Sequence, residues 1–297
     1  MKIGQIFKEF RTAKHITLKE ASTGIVSVPF LSRFERGLTD ISFTHLLELL
    51  NRINVQLAEF EFLYQKRNAD NNDLLPRFQS AYQNGDIQQL QQYLADWQNK
   101  PGKFARLQVI QLKMMLTTLG AAQMDSAELL ILEEYFQSIT SWTFFELYLF
   151  GHAIPFLEQR FMLTLFAELQ KKELIYDHFR NDSFSMLFYL YNNVILFLLS
   201  HKELHQAQLL LGDLESYFEQ RGKDYYHKAR IFNLKGLLLY LQGHKQTGLQ
   251  LIKKANMLAY LTEQEPSFLK NEKHYLENYL NEAELLSVFD FSQLKEF

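Results

Sequence analysis

Ile3, Ile6, Phe7 and Phe10 recur at spacings of three and four with polar residues between them, which predicts an amphipathic helix over 3–13. Thr17, with Glu20 three residues on, has the capping-box form and opens a second helix over "LKEASTG". Gly24 supplies a tight turn, and Ser27 is placed to cap a third helix with Pro29 at its second position, where a missing N–H costs little. In that helix Leu31 and Phe34 face inward, while Val28, Phe30, Ser32 and Arg33 point elsewhere, and Gly37 ends it. Apolar periodicity resumes over "SFTHLLELLNRI" and again over "VQLAEFEFLY". The stretch 65–76, "QKRNADNNDLLP", is polar and closes on Pro76, so it reads as a boundary. The division expected is a head at 1–64, a linker at 65–75 and a body at 76–297. No useful strand-like alternation follows. Amphipathic segments succeed one another, separated by "QNGD", "NKPGK", "FGHAI", "QRGKD" and "LQGHK".

The body repeats itself. At an offset of 41 residues Tyr189, Tyr191, Asn192, Leu198, Ala207 and Leu211 fall on Arg230, Phe232, Asn233, Leu239, Gly248 and Ile252. The second copy resembles a tetratricopeptide repeat, with Phe232, Gly236, Leu239, Gly248, Ile252 and Ala255 at packing positions, the small ones letting two antiparallel helices approach. The fold class expected is all-α: an N-terminal helix-turn-helix domain followed by a tetratricopeptide-like helical-repeat solenoid. If the first helix of each hairpin lines a concave surface, Tyr189, Asn192, Leu196 and Leu199 form one row, and Arg230, Asn233, Leu237 and Tyr240 the next. Paired asparagines can bond a peptide unit through both carbonyl and amide. An extended peptide backbone is the ligand this ladder suits.

Composition narrows the chemistry. The 297 residues are 47% hydrophobic with 26 Phe and 15 Tyr, enough for a sizeable core, and only 12 Gly and 5 Pro, which favours helices and short loops. There is no cysteine, so disulfides and thiolate metal sites are excluded, and a reducing cytoplasm is the expected compartment. The N-terminus lacks a signal-peptide pattern, and "MLFYLYNNVILFLL" (186–199) is too short to span a membrane, so it reads as a buried helix. Residues 1–52 carry a net charge of +3 in a chain of net −3, which points that end alone at a polyanion. His201 and His205 in "HKELH" stand four apart but lack a third ligand, so no metal site is expected. No phosphate-cradling loop, nucleophile elbow or paired-carboxylate motif appears, so neither catalysis nor a cofactor is expected. The aromatics Trp142, Phe144, Phe145 and Tyr148 read chiefly as core.

Helix, helix, glycine turn, short helix and glycine together make a helix-turn-helix pattern. "LKEASTGIVSVPFLSRFERG" resembles the DNA-binding motif of lambda-repressor-like domains, and "LSRFERG…ISFTHLLELLNRINV" is similar to the Rgg/MutR/GadR regulators of Gram-positive bacteria. The resemblance covers essentially the whole chain. It implies a DNA-binding head whose third helix enters the major groove of promoter DNA. Val28, Phe30 and Ser32 would then read bases, Arg33 a guanine or a phosphate, and Arg11, Lys14 and Arg36 would grip phosphates. It also implies a body that binds a short hydrophobic signalling peptide, with Asn192 holding the backbone. Tyr148, His152, Tyr189, Tyr226, Arg230, Asn233 and Tyr240 are the other expected contacts. His152 and Pro155 stand where relatives place an Asn and an Arg, and Arg230 is the nearest substitute cation. A homodimer is expected, held by packing because Phe43 occupies the place of an inter-subunit cysteine in some relatives. The apolar residues of "HYLENYLNEAELLSVFDF" are its candidate surface. The alternative is a helical-repeat interaction scaffold without peptide control.

Overall fold

The computed structural model describes residues 2–68, 74–172, 181–221, 224–262 and 266–291, which are helices and their connections with no strand among them. The chain divides into two compact units, Met1–Asp86 and Ile87–Phe297.

In the first unit α1 (Ile3–Ala13), α2 (Leu18–Ser22), α3 (Val28–Glu35), α4 (Phe43–Arg52) and α5 (Leu57–Arg67) enclose a core of Ile6, Phe7, Leu31, Phe34, Leu49, Leu50, Ile53 and Phe60. Each such side chain contributes about 1.5–3 kcal/mol on burial. The expected caps form: the Thr17 hydroxyl accepts from the Glu20 amide while the Glu20 carboxylate accepts from the Thr17 amide, and the Ser27 hydroxyl accepts from the Phe30 amide. Gly24 turns the chain at φ +79°. Gly4 lets α1 cross α3 closely, since a Cβ there would stand 1.9 Å from the Phe34 carbonyl oxygen. Ile3, expected on the inner face of α1, is instead exposed. Helix α5 runs to Arg67, past the expected end of the head, and α6 (Leu74–Gln83) also belongs to this unit.

The second unit is a succession of helices: α7 (Ile87–Trp97), α8 (Lys103–Thr118), α9 (Ser126–Ser138), α10 (Phe144–Ala153), a 3₁₀ turn (Ile154–Phe156), α11 (Gln159–Lys172), α12 (Asn181–Ser200), α13 (Leu204–Arg221), α14 (Tyr225–Leu241), α15 (Lys245–Leu261), α16 (Pro266–Leu276) and α17 (Glu282–Val288). One core runs through it from Leu107 to Val288 and takes in Trp142, which stacks on Phe136. The segment 186–199 lies inside α12, with Leu190, Val194 and Leu198 fully buried. The hairpin α14–α15 has the expected small-residue contact. A Cβ on Gly248 would meet the Gly236 oxygen at 2.6 Å and the Tyr240 nitrogen at 2.7 Å.

Two expectations need correction. "FGHAI" does not separate helices, because 150–153 complete α10 and the 3₁₀ turn follows directly. The C-terminal segment is two helices that cap the repeats rather than one exposed helix. Leu276, Leu280 and Leu285 are buried in the main core, Tyr279 and Phe289 pack against it, and Leu286 alone of the six stays largely outside at 63% exposure.

Candidate functional site

On the head, α3 presents Val28, Pro29 and Arg33 to solvent, followed by Arg36 at its C-cap, with Phe30 and Ser32 half-buried between them. The α3 cap and Pro29 fix where this helix begins, and Leu31 and Phe34 fix which face turns inward. Neither Arg33 nor Arg36 forms a side-chain hydrogen bond or ion pair among the described residues.

Arg11 and Lys14 are placed otherwise than expected. Arg11 is only 7% exposed, and its fork closes on Glu35 with Nε donating to Oε1 at 2.5 Å and Nη2 to Oε2 at 2.8 Å. Its Nη1 donates to the Ile16 carbonyl at 2.6 Å. The guanidinium is thus engaged wholly inside the domain, joining α1, the α1–α2 turn and the end of α3, and the Glu35 bond holds it above its ordinary pKa. Lys14 Nζ donates to the Ile53 and Asn54 carbonyls at 2.9 and 2.6 Å, satisfying the C-terminus of α4. Arg11 is thereby withheld from a phosphate, whereas Lys14 is exposed and keeps its charge at the surface. Glu35 was missed as a functional residue, although it stands one turn after Leu31 on the inward face of α3. An acid on an apolar stripe is the signal of a buried partner.

In the body the first expected row stays partly open and the second does not. Tyr189, Asn192 and Leu196 on α12 are half-buried, as is Tyr148 on α10, whereas Leu199 is buried. Helix α10 lies against α12 at Gly151, where a Cβ would meet the Tyr189 ring at 2.6 Å, and Asn193 Nδ2 donates to the Gly151 carbonyl at 3.2 Å. His152 is buried beside Tyr189, with ring centroids 6.5 Å apart, and burial lowers its imidazole to about 4, so it is neutral near pH 7. Pro155 is exposed on the 3₁₀ turn.

Arg230 is not a free clamp. Its Nε donates to Asn192 Oδ1 at 2.6 Å, its Nη1 to Glu272 on α16, and it is 9% exposed. Asn233, 2% exposed, donates from Nδ2 to Glu272 Oε2 at 2.9 Å and Asn256 Oδ1 at 3.2 Å, and Asn256 donates onward to the Val288 carbonyl. Tyr240 is buried with its hydroxyl donating to Glu284 at 2.8 Å, and Leu237 is buried with it. The expected ladder of Asn192 and Asn233 therefore does not face a common surface. The second copy turns its polar residues toward the capping helices α16 and α17, leaving Asn192 at the outer end of a buried chain of bonds. Burial pushes the Glu272 carboxyl up, against the opposing pull of Arg230 and Asn233. Tyr226 is exposed, with its ring centroid 5.2 Å from that of Phe268.

Among the described residues no group of three His, Asp or Glu could hold a metal ion, and no helix is long and apolar enough to cross a membrane.

Comparison with known proteins agrees with this division. The family described as HTH-type transcriptional regulator Rgg, C-terminal domain, matches residues 87–265, and the helix-turn-helix family matches residues 7–60. Among solved structures, a chain assigned as a transcriptional regulator from Listeria monocytogenes EGD-e superposes with a TM-score of 0.81 at 22% identity, covering 93% of this chain and 97% of that one. The SHP pheromone receptor Rgg2 of Streptococcus dysgalactiae gives 0.75 at 20% identity over 93% and 100%. ComR from S. thermophilus, in complex with DNA and its signalling peptide ComS, gives 0.56 at 16% identity over 94% and 100%. With its head of helix-turn-helix form and its body matched over more than half of the chain, the protein belongs to the Rgg family of DNA-binding transcriptional regulators and is not an enzyme.

Proposed function

We propose that this regulator binds promoter DNA through α3 and that a short hydrophobic peptide, bound beside α10 and α12, controls it. The observation that carries the peptide reading is Asn192. It is the half-buried end of an otherwise internal chain of bonds, one helical turn from the half-buried Tyr189. Among the described residues its Nδ2 is held by the neighbouring Asn193 alone, at 3.0 Å, so a peptide carbonyl can compete for it. The similar Rgg2 is a pheromone receptor and the similar ComR was solved with a signalling peptide, which supports the same class of ligand here.

The ligand so read is neutral along most of its length. His152 is uncharged near pH 7, and Arg230 is already paired with Glu272, so neither of these two residues offers a spare cation to a buried carboxylate of the peptide. An uncompensated charge is costly to bury. Calorimetric titration with synthetic hydrophobic octapeptides, each amidated or free at the C-terminus, tests this. Asn192→Ala should weaken binding about tenfold, as expected for the removal of one hydrogen bond to a peptide group. Amidation should not weaken it. Peptides that bind wild type and Asn192→Ala equally would remove this residue from the site.

A homodimer completes the proposal, because a single small head makes few base contacts and paired half-sites need two. Leu38 and Phe43 on the head, and Leu261 and Leu286 on the body, are exposed apolar residues available to such packing.

A further inference from the structure

A cleft of about 660 Å³ opens in the body between the α7–α8 connection and α9, and none of its lining residues belongs to α10, α12 or α14. Leu107, Val109, Ile131 and Tyr135 supply its apolar wall. Lys100, Lys103 and Arg106 stand around it, all exposed, and none forms an ion pair among the described residues. Glu134 is the one carboxylate that lines it.

Two of these cations are held in place by aromatic faces. Lys100 Nζ lies 3.6 Å from the centroid of the Trp97 ring, and Lys103 Nζ lies 4.8 Å from that of Tyr135. The ring quadrupole attracts each ammonium without neutralising it, so the charge remains available to a ligand. The Tyr135 ring is itself fixed, because its hydroxyl donates at 2.5 Å to Glu146, which Thr143 also engages. Gly102, at φ +111°, delivers the chain into the 16-residue α8 with no side chain capping that helix. Arg106, one turn into α8, adds a planar fork suited to two oxygens of one group.

We infer that this cleft binds a phosphorylated small molecule of about nucleotide size. The phosphoryl group sits among Lys100, Lys103 and Arg106, and the organic part lies on Leu107, Ile131 and Tyr135. The volume falls within the range of ordinary small-molecule sites, roughly 300–1,000 Å³. A single carboxylate offers two oxygens to these three cations, whereas a phosphoryl group offers three.

The test is calorimetric titration of the full chain, without DNA or peptide, using AMP, adenosine, inorganic pyrophosphate and citrate as probes. AMP should bind saturably and shift the emission of Trp97, the ring beneath Lys100. Adenosine and pyrophosphate should each bind at least about tenfold more weakly, since each lacks one half of the recognised group. Lys103→Ala and Arg106→Ala should each weaken AMP binding about tenfold with unchanged far-ultraviolet dichroism, because both side chains are exposed and neither forms an ion pair among the described residues. Pyrophosphate binding as tightly as AMP would overturn the assignment of the organic part to the apolar wall. Citrate binding in place of AMP, AMP binding untouched by both substitutions, or no saturable binding by any probe would each overturn the site.

Discussion

Arg11 shows how a single residue changes role between motif and molecule. Its position in the resembling motif points to DNA, yet its fork is closed by Glu35 and the Ile16 carbonyl. Removing it leaves Glu35, 4% exposed, without its counter-charge. Arg11→Ala should therefore lower the stability of the head by about 3–5 kcal/mol in urea denaturation, and Arg11→Lys should recover only part, since an ammonium cannot make the same fork. An unchanged unfolding midpoint in Arg11→Ala would remove the pair from the structural account. Sequence reading found the cap residues Thr17 and Ser27 because each acts on the backbone three residues away. It misplaced Arg11, Arg230 and Asn233 because their partners Glu35, Glu272 and Asn256 lie 24, 42 and 23 positions away, beyond any local spacing rule. His152 gives a pH-dependent consequence. Its value of about 4 in the folded state lies below the ordinary 6.5, so the unfolded chain takes up the proton first as pH falls. Stability of the body should be complete above pH 6.5 and decline toward pH 4, by about 3 kcal/mol in all. Urea midpoints of the wild type and His152→Gln, compared between pH 7.5 and 4.5, check it. Equal pH slopes in the two proteins would mean that His152 does not titrate as a buried group.

At the scale of elements, periodicity located the helices well wherever one face is apolar. The span 3–13 of α1 and the beginning of α3 match the sequence reading, and Gly236 with Gly248 marks the close contact of α14 and α15. Orientation was less legible. Helix α14 buries residues over more than half of its circumference, among them Ala229, Ile231, Asn233, Leu234 and Tyr240, so periodicity alone could not say which side faced a ligand. Two glycines test the packing argument directly. A Cβ on Gly248 meets backbone atoms of α14, whereas one on Gly212 in α13 meets nothing within 4 Å. Gly248→Ala should destabilise the body by about 1–3 kcal/mol, because neither backbone atom can move alone. Gly212→Ala should stabilise it by up to about 1 kcal/mol through helix propensity. Thermal melts of both variants decide the matter, and a rise in midpoint for Gly248→Ala would show that the hairpin is looser than described.

For the whole molecule, the polar stretch near Pro76 and the shift in charge pointed to a head and a body, but the two compact units divide between Asp86 and Ile87, and Pro76 lies within α6 of the first. The capping by α16 and α17 was not, because apolar residues that close a core and those that join two chains have the same composition. With Leu276, Leu280 and Leu285 inside, the surface left for a homodimer is smaller than the sequence suggested. Light scattering at micromolar concentration should still give twice the 35.2 kDa chain mass, and Phe43→Glu with Leu286→Glu should reduce it to one. A wild-type monomer would remove the dimer.

On the proposed reading the exposed cations Arg33 and Arg36, rather than the buried Arg11, meet DNA. Anisotropy titration of labelled DNA from the protein's own upstream region, repeated over a range of salt concentrations, tests it most directly. Arg33→Ala and Arg36→Ala should each weaken binding, with the salt slope falling by about one for each phosphate no longer neutralised, while the urea midpoint stays unchanged. Affinity and salt slope both unaltered in the double variant would contradict the account.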